Sequence, residues 1–145
     1  MAGVKDILTE KGSHFLSIGD QATVLDAALL MNEHKIGALP VLRDGKIIGM
    51  FTERDILQRI VADQKDPSKT RVFEVMTTNL TLCAIDVTIH EAQELMREKR
   101  VRHLPIIDDH GKPIGMISIG DLNAWMLVHE KKTVVALQAY LYGES

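Results

Sequence analysis

Apolar residues recur along the chain first at the spacing of a helix and then in the short runs of buried strands. A helix is expected after Thr23, its predicted N-cap, because apolar residues follow at i, i+3, i+4 and i+7. These residues are Val24, Ala27, Ala28 and Met31. A second helix is expected to begin at Thr52, with four apolar residues on its buried side: Ile56, Leu57, Ile60 and Val61.

Short apolar runs predict the strands that separate these helices. A strand over 15–18 precedes the first helix. Strands over 37–42 and 46–51 flank Asp44 and Gly45, a pair typical of a two-residue hairpin turn. The predicted order of elements is therefore β-α-β-β-α.

The same order recurs in the second half of the chain, which indicates an internal duplication. Pro40 and Pro105 lie 65 residues apart. The other pairs at this offset are Thr23 and Thr88, Ala27 and Ala92, Leu30 and Leu95, Met31 and Met96, and Glu33 and Glu98. Beyond the hairpin the offset becomes 66, because the second turn is longer by one residue. The pairs there are Gly45 and Gly111, Lys46 and Lys112, Gly49 and Gly115, Met50 and Met116, and Asp55 and Asp121.

The second copy predicts strands over 80–84, 102–107 and 113–117, a helix from Thr88 to Arg100 and another from about Gly120. The predicted units are a first repeat with an N-terminal lead-in (1–64), a polar linker (65–71), a second repeat (72–128) and a C-terminal extension (129–145). The lead-in 4–8 resembles 72–76, and the extension is expected to form an extra amphipathic helix.

The predicted fold is α/β, of the mixed α+β kind, with the two repeats arranged as a pseudo-two-fold pair. Each repeat alone would bury only about 60% of the surface that its unfolded chain exposes, so it is not expected to stand alone. We therefore expect the two three-stranded sheets to share one core and to leave a cleft with two related pockets between them.

Composition narrows the function rather than the fold. Aromatic residues make up only 4% of the chain, so the core must be aliphatic, and the net charge of −3 argues against a general nucleic-acid binder. Cys83 is the single cysteine, which excludes an intramolecular disulfide and a multi-cysteine zinc site. We expect Cys83 to be a buried apolar residue, and a cytoplasmic location fits the sequence because it shows no signal peptide or membrane segment.

Enzyme and metal motifs are missing from the sequence. It contains no Walker A, Rossmann or G-x-S-x-G pattern, and its histidines lack the paired spacing of metal ligands. We therefore expect neither catalysis, nor a metal, nor a catalytic cofactor.

Two copies of one motif carry the functional signal. Residues 49–55 read GMFTERD and residues 115–121 read GMISIGD, so both fit G-h-h-[T/S]-x-x-D, where h is apolar. Thr52 and Ser118 stand where a strand gives way to a helix, whose N-terminal N–H groups favour a phosphate. Asp55 and Asp121 follow one turn later, and a carboxylate can accept hydrogen bonds from both ribose hydroxyls. A plain capping box would explain the same residues without any ligand.

With its L-P strands and repeated hairpins, the motif pair resembles the nucleotide-contacting signature of cystathionine beta-synthase (CBS) domains, which occur in tandem pairs called Bateman modules. The resemblance covers about 4–127. It implies a regulatory, non-catalytic module that binds AMP, ADP, ATP, NAD or S-adenosylmethionine. It also implies a homodimer formed through the helices that follow Asp55 and Asp121, and a possible protein target.

The resemblance also implies which residues line each pocket. The pocket of Ser118 and Asp121 would add Arg102, His103, Ser17, Ile18, Ile36 and Gly37. The pocket of Thr52 and Asp55 would add Arg54, Leu82, Cys83, Val101 and Arg102. Because Arg102 and His103 replace Gly37 and Ala38 of the first repeat, we expect the Asp121 pocket to bind more tightly.

Three other functions stay open at this point. One is a structural or oligomerisation module with empty pockets. The others are a nucleic-acid-binding member of the family and a weak enzyme acting on a nucleotide, and the net charge and the absence of a partnered general base argue against them.

Overall fold

The computed structural model describes residues 2–12 and 16–142, and for residues 130–137, 140 and 142 it describes the backbone only. The first five elements are α1 (Val4–Lys11), β1 (Ile18–Gly19), α2 (Val24–His34), β2 (Ala38–Arg43) and β3 (Lys46–Thr52). They are followed by α3 (Glu53–Asp55), a π-helical segment (Ile56–Val61), α4 (Val72–Val75), β4 (Cys83–Ala84), α5 (Ile89–Lys99), β5 (His103–Ile107), β6 (Pro113–Ser118) and α6 (Ile119–Tyr142). The predicted strand over 15–18 begins at Phe15, which lies outside the described residues, and β1 contains its last position.

The duplication is confirmed in the two sheets. The described chain forms a three-stranded sheet in the order β1-β2-β3 and another in the order β4-β5-β6. In each sheet the first pair is parallel and the second antiparallel. The register shifts between Val41 and Leu42 and again between Ile106 and Ile107, positions that are 65 residues apart. The two repeats therefore share even a local irregularity of the backbone.

Helix caps and turns also follow the sequence. The amide of Asp26 donates to the Thr23 hydroxyl at 3.1 Å, and the amide of Thr23 donates to the Asp26 carboxylate at 3.2 Å. Thr88 caps α5 in the same way. Asp44 and Gly45 have φ of 53° and 78°, the left-handed pair of a type I′ hairpin turn.

The core differs from the single shared core that the sequence predicts. Buried apolar residues form two clusters, one under each sheet. Val4 and Ile7 of α1 belong to the cluster of the second sheet, whereas Val72 and Val75 of α4 belong to that of the first. Each repeat completes its core with a helix that precedes the other repeat, and this exchange ties the two halves together.

Two glycines make the exchange sterically possible. A Cβ added to Gly49 would lie 2.5 Å from Met76 Sδ, just after α4, and one added to Gly115 would lie 2.7 Å from Leu8 Cδ2 on α1. Met50 and Thr77 also exchange backbone hydrogen bonds of 2.9 and 2.8 Å. The glycines of the repeated motif therefore make room for the lead-in segments.

The helix after Thr52 begins as predicted but then changes form. Residues Ile56–Val61 are π-helical, and Ile60 is buried. Leu57 and Val61, which the spacing assigns to the buried side, are 63% and 62% exposed, so that assignment is wrong. The π-helical turn rotates the face of the helix relative to the predicted 3.6-residue period.

The C-terminal extension continues a helix rather than forming a new one, and the predicted linker is held by hydrogen bonds. The C-terminal extension is not an extra helix, because α6 runs without a break from Ile119 to Tyr142. The polar segment 65–71 is anchored to the start of α2, where Val24 N donates to the carbonyl of Thr70 and Leu25 N to that of Pro67. These carbonyls satisfy N–H groups that a helix start leaves without intrahelical partners.

Candidate functional site

The motif aspartate of the first repeat caps the helix that follows β3. Asp55 Oδ2 accepts hydrogen bonds from the Thr52 amide at 3.0 Å and from the Thr52 hydroxyl at 3.2 Å, while Asp55 N donates to Thr52 Oγ1 at 3.3 Å. The capping-box interpretation therefore holds for this motif.

Asp55 also reaches beyond its own helix. Its Oδ1 accepts a 2.9 Å hydrogen bond from the hydroxyl of Thr77, which precedes the second sheet, and Arg59 Nε lies 3.8 Å from the same oxygen. Arg59 also donates through Nη1 to the carbonyls of Val75 and Met76 at 3.0 and 2.9 Å. The side chain of Asp55 is only 5% exposed, so it joins the two repeats from a buried position.

The second motif has the same cap but a different companion. Asp121 Oδ2 accepts from the Ser118 amide and from Lys11 Nζ, each at 2.8 Å, and Asp121 N donates to Ser118 Oγ at 3.1 Å. Lys11 also donates to the carbonyl of Met116 at 2.9 Å. Burial opposes ionisation of Asp121, but the bonds from Lys11 and Ser118 outweigh it and hold the pKa of this carboxyl below its usual value.

Two of the first three helical N–H groups after each motif strand already have acceptors. Glu53 N donates to the Gly37 carbonyl and Ile119 N to the Arg102 carbonyl, while the amides of Asp55 and Asp121 donate to the capping hydroxyls. The sequence argument that a phosphate is held by free amides at these helix starts is therefore wrong in large part. Side-chain cations must supply most of the attraction for an anion.

A cavity of about 370 Å³ adjoins Asp55, and we call it the Asp55 cavity. Both repeats contribute to its walls. The first repeat supplies Gly37, Met50, Thr52, Glu53, Arg54, Asp55, Gln58 and Arg59. The second half supplies Thr77, Asn79, Leu80, Thr81, Arg100, Val101, Arg102, His103 and Pro105.

A second cavity, of about 500 Å³, adjoins the other motif and is called the Ser118 cavity. Its lining is Met31, Asn32, Lys35, Ile36, Gly37, Glu53, Arg102, His103, Ser118 and Ile119. Asp121 is not among these residues. By the offset of 65, His14 and Phe15 correspond to Asn79 and Leu80, and both lie outside the described residues.

Most of the sequence-predicted site residues lie on these cavities, but five do not. Thr52, Arg54, Asp55, Val101 and Arg102 line the Asp55 cavity. Ile36, Gly37, Arg102, His103 and Ser118 line the Ser118 cavity. The residues that line neither are Ser17, Ile18, Leu82, Cys83 and Asp121.

Cys83 illustrates why strand positions are poor site candidates here. Its side chain is 1% exposed and belongs to the core of the second sheet, and burial raises the pKa of its thiol to about 11. The thiol is therefore protonated and inert at neutral pH, as its interpretation as a small apolar core residue requires.

The structure adds charged residues that sequence reasoning missed. Lys35 and Arg100 are counterparts at the offset of 65, and each ends its helix in the left-handed conformation. Lys35 lines the Ser118 cavity and Arg100 the Asp55 cavity. The alignment of the two repeats already places a basic residue at the ends of both α2 and α5, and this repetition could have indicated them as candidate site residues.

Cations outnumber acids around the Asp55 cavity. Its lining holds Arg54, Arg59, Arg100 and Arg102 against Glu53 and Asp55. Within the described part of the chain, the side chains of Arg54, Arg100 and Arg102 make no ion pair. This excess of positive charge suits an anionic ligand.

His103 lies at the boundary of the two cavities. Burial is the largest influence on its pKa and lowers it, and the cations Lys11 and Arg102 act in the same direction. The acids Asp121 and Glu53 oppose this without reversing it. His103 is therefore neutral at neutral pH and can donate or accept one hydrogen bond per ring nitrogen.

Neither a metal cluster nor a membrane span is found in residues 2–12 and 16–142. No group of three or more His, Cys, Asp and Glu side chains there is placed to hold a metal ion. In the same residues, no helix combines the length and the apolar character that crossing a bilayer requires.

Comparisons with known proteins agree with the geometry. The family model of the CBS domain matches residues 4–62 and 72–127. The CBS domain-containing protein YhcV of Bacillus subtilis is 36% identical over 84% of this chain and 84% of its own length. The crystal structure of the CBS domain NE2398 superposes with a TM-score of 0.83 at 39% identity, covering 88% of this chain and 99% of that one.

A more distant structure contains ligands. The CBS domain pair of protein MJ0100, in complex with 5′-methylthioadenosine and S-adenosyl-L-methionine, superposes with a TM-score of 0.76 at 23% identity. The alignment covers 87% of this chain and 96% of that one. At this identity the likeness establishes the fold alone.

Proposed function

We propose that the chain, which belongs to the CBS-domain family as a domain pair, is a sensor. It reversibly binds an adenosine-containing nucleotide and does not catalyse a reaction. The candidate ligands are AMP, ADP, ATP, NAD and S-adenosylmethionine. The observation that carries the proposal is the Asp55 cavity, which both repeats line and whose wall contains the motif aspartate.

The contacts of Asp55 support a role in ribose binding. Its Oδ2 is already engaged by two donors from Thr52, whereas its Oδ1 accepts one hydrogen bond, from Thr77. A carboxylate oxygen can accept about two hydrogen bonds, so Oδ1 can accept one more from a ribose hydroxyl. The Thr77 hydroxyl donates to Oδ1 and keeps lone pairs that can accept from the second ribose hydroxyl, which makes Thr77 a partner in the same subsite.

The rest of the lining supports an adenosine nucleotide in this cavity. Met50, Leu80, Val101 and Pro105 provide apolar contacts for a base, and the surrounding arginines provide charge-assisted hydrogen bonds for phosphates. MJ0100, which shares the fold, binds two adenosine derivatives, and this supports the choice of adenosine over other nucleosides.

We infer that the Asp55 cavity takes the first ligand. The sequence predicts instead that the Asp121 pocket is the tighter one. Two features support the opposite order: Asp121 does not line the Ser118 cavity, and Lys11 already bonds to it.

Regulation follows from the position of the ligand between the repeats. A ligand bonded to Asp55 and to residues of the second half would favour one relative arrangement of the halves. It can shift that arrangement only by its difference in affinity for the two states. The output is then read by a partner protein or by the chain as a dimer.

Homodimerisation is supported by exposed apolar side chains on the two helices that follow the motifs. Leu57 and Val61 are 63% and 62% exposed, and Leu127 and Val128 on α6 are 55% and 50% exposed. Exposed apolar residues in contiguous patches mark interaction surfaces. Light scattering during gel filtration should give twice the chain mass, and Leu57→Glu should reduce it to one chain. A monomeric wild type would contradict the dimer.

Location in the cytoplasm and the absence of nucleic-acid binding stay predictions. The net charge of −3 supports the second, and binding that weakens steeply with salt would contradict it.

Thermal unfolding with added ligand tests the proposed function. Only binding to the native state raises stability, by about 2.7 kcal/mol at a hundredfold excess over Kd. That is about 5–10 °C in Tm for a chain of this size. We expect such a rise with at least one adenosine ligand and not with the matched guanosine compound.

A matched pair of variants separates the site from general stability. Asp55→Asn should abolish the ligand-induced rise. Asp26→Asn, which alters the equivalent cap of α2 but lines neither cavity, should retain it. Equal shifts for adenosine and guanosine ligands, or an undiminished shift in Asp55→Asn, would contradict the proposal.

A further inference from the structure

The two cavities meet at one wall. The residues that line both are Gly37, Glu53, Arg102 and His103. A ligand in either cavity can therefore reach Arg102, and the two sites are not separate in space.

The wall breaks the symmetry of the duplication. Gly37 and Arg102 are counterparts at the offset of 65, and Glu53 and Ile119 at the offset of 66. Their backbones are equivalent, since Glu53 N donates to the Gly37 carbonyl at 3.0 Å and Ile119 N to the Arg102 carbonyl at 2.9 Å. A symmetric pair would hold two arginines here, and this chain holds one.

The space that a side chain at position 37 would occupy lies beside an acid. A Cβ added to Gly37 would be 3.1 Å from the carboxyl group of Glu53. The missing cation is thus replaced by a negative charge rather than by another donor. Arg102 itself makes no ion pair within the described residues, so its guanidinium is available to a ligand.

The cavities depend on Arg102 to different degrees. Away from the shared wall, the Asp55 cavity keeps Arg54, Arg59 and Arg100, whereas Lys35 is the only cation that the described residues contribute to the Ser118 cavity. Once a ligand in the Asp55 cavity has engaged Arg102, Lys35 is opposed by Glu53 and the Ser118 cavity has little net attraction for an anion.

Granted the nucleotide-binding function proposed above, we propose that Arg102 is a single cation shared by the two cavities, so that a phosphorylated ligand in the Asp55 cavity weakens phosphorylated-ligand binding in the Ser118 cavity. The second ligand loses one charge-assisted hydrogen bond to arginine and meets the negative charge of the first. Losing such a bond corresponds to about tenfold or more in affinity. An uncharged nucleoside has no phosphate to pair with Arg102, so its binding in one cavity should not weaken its binding in the other.

Isothermal titration with AMP, and with adenosine as the uncharged probe, tests the coupling. Asn79→Phe fills the Asp55 cavity from an exposed position and leaves the shared wall intact. In this variant we expect the Ser118 cavity to bind AMP about tenfold more tightly than the second step of the wild type. If the wild type shows only one binding step, the weakest affinity that the titration can detect is an upper limit for the affinity of its second step. The Ser118 cavity of the variant must then bind AMP more tightly than that limit. Adenosine should bind the Ser118 cavity equally in both proteins.

The gain must depend on Arg102. Adding Arg102→Gln to Asn79→Phe should remove the gain in AMP affinity of the Ser118 cavity. Adding Arg100→Gln instead should preserve that gain, because of the two cavities Arg100 lines only the filled one. Unchanged affinity of the Ser118 cavity on filling its neighbour, or a gain that survives Arg102→Gln, would overturn the proposal. If neither AMP nor adenosine binds the wild type, it is the nucleotide-binding function that fails, and the two failures are told apart.

Discussion

Replacing the two motif aspartates separately should destabilise the protein by different amounts. Both side chains accept a hydrogen bond from the capping residue three positions earlier. Asp55 is nearly buried and also bonds to Thr77, whereas the extra partner of Asp121 is Lys11, in a pair whose side chains are 42% and 25% exposed. The capping contribution is common to both aspartates, so the difference in destabilisation between the two variants comes from their unequal additional bonds.

The magnitude follows from these contacts. Loss of the carboxylate half of the capping box, which leaves the amide bond to the Thr52 or Ser118 hydroxyl in place, costs about 1 kcal/mol in either repeat. Asp55→Ala loses in addition the bond from Thr77 and leaves that half-buried hydroxyl without its acceptor, which adds about 1–2 kcal/mol. Asp121→Ala loses a partly exposed ion pair worth about 0–1 kcal/mol. We therefore expect about 2–3 kcal/mol for Asp55→Ala and about 1–2 kcal/mol for Asp121→Ala.

Urea unfolding of the ligand-free proteins measures the difference, read from the midpoint at an unchanged m-value. Thr77→Val is the matched control: it removes only the bond to Asp55 and should cost about 1 kcal/mol, close to the gap between the two aspartate variants. If Asp121→Ala is as destabilising as Asp55→Ala, the reasoning that Asp55 joins the two repeats is refuted.

Three other predictions rest on single positions. Burial lowers the pKa of His103, so its contribution to stability is present above the unfolded value of 6.5 and is lost as pH falls through the lower native value. As pH falls through this range His103 gains a positive charge that attracts the phosphate, so titration calorimetry should show AMP affinity increasing in the wild type and not in His103→Gln. Gly49→Ala should cost about 1–3 kcal/mol in urea unfolding because its Cβ would overlap Met76, whereas Gly19→Ala, with no atom near its Cβ, should be close to neutral. Iodoacetamide at pH 8 should leave Cys83 unmodified in the native protein and modify it in urea, since burial raises its pKa to about 11; rapid native modification would contradict the core assignment.

Much of the fold could be predicted because the repeat supplies each signal twice. Thr23 and Thr88 are N-caps in both copies, and Asp44–Gly45 forms the expected turn. The exchange of lead-in helices could not be predicted, because apolar spacing shows that a helix has a buried face and not which sheet covers it. Val4 and Ile7 therefore pack in the repeat that the sequence places farther away.

Where a local motif carries the chemistry, the sequence indicated residues that the structure places at the candidate site. Thr52, Asp55 and Ser118 stand on the cavities as expected. Lys35 and Arg100 were missed because each belongs to a helix end far from the motif whose cavity it lines. The exposure of Leu57 was missed because a π-helical turn departs from the period used to assign faces.

A crystal structure of the protein grown with AMP tests the central claim most directly. The account predicts ligand density in the Asp55 cavity, with a ribose hydroxyl within hydrogen-bond distance of Asp55 Oδ1 and the phosphate beside Arg102. Ligand bound elsewhere on the surface, or an empty Asp55 cavity at an AMP concentration that saturates binding in solution, would contradict it.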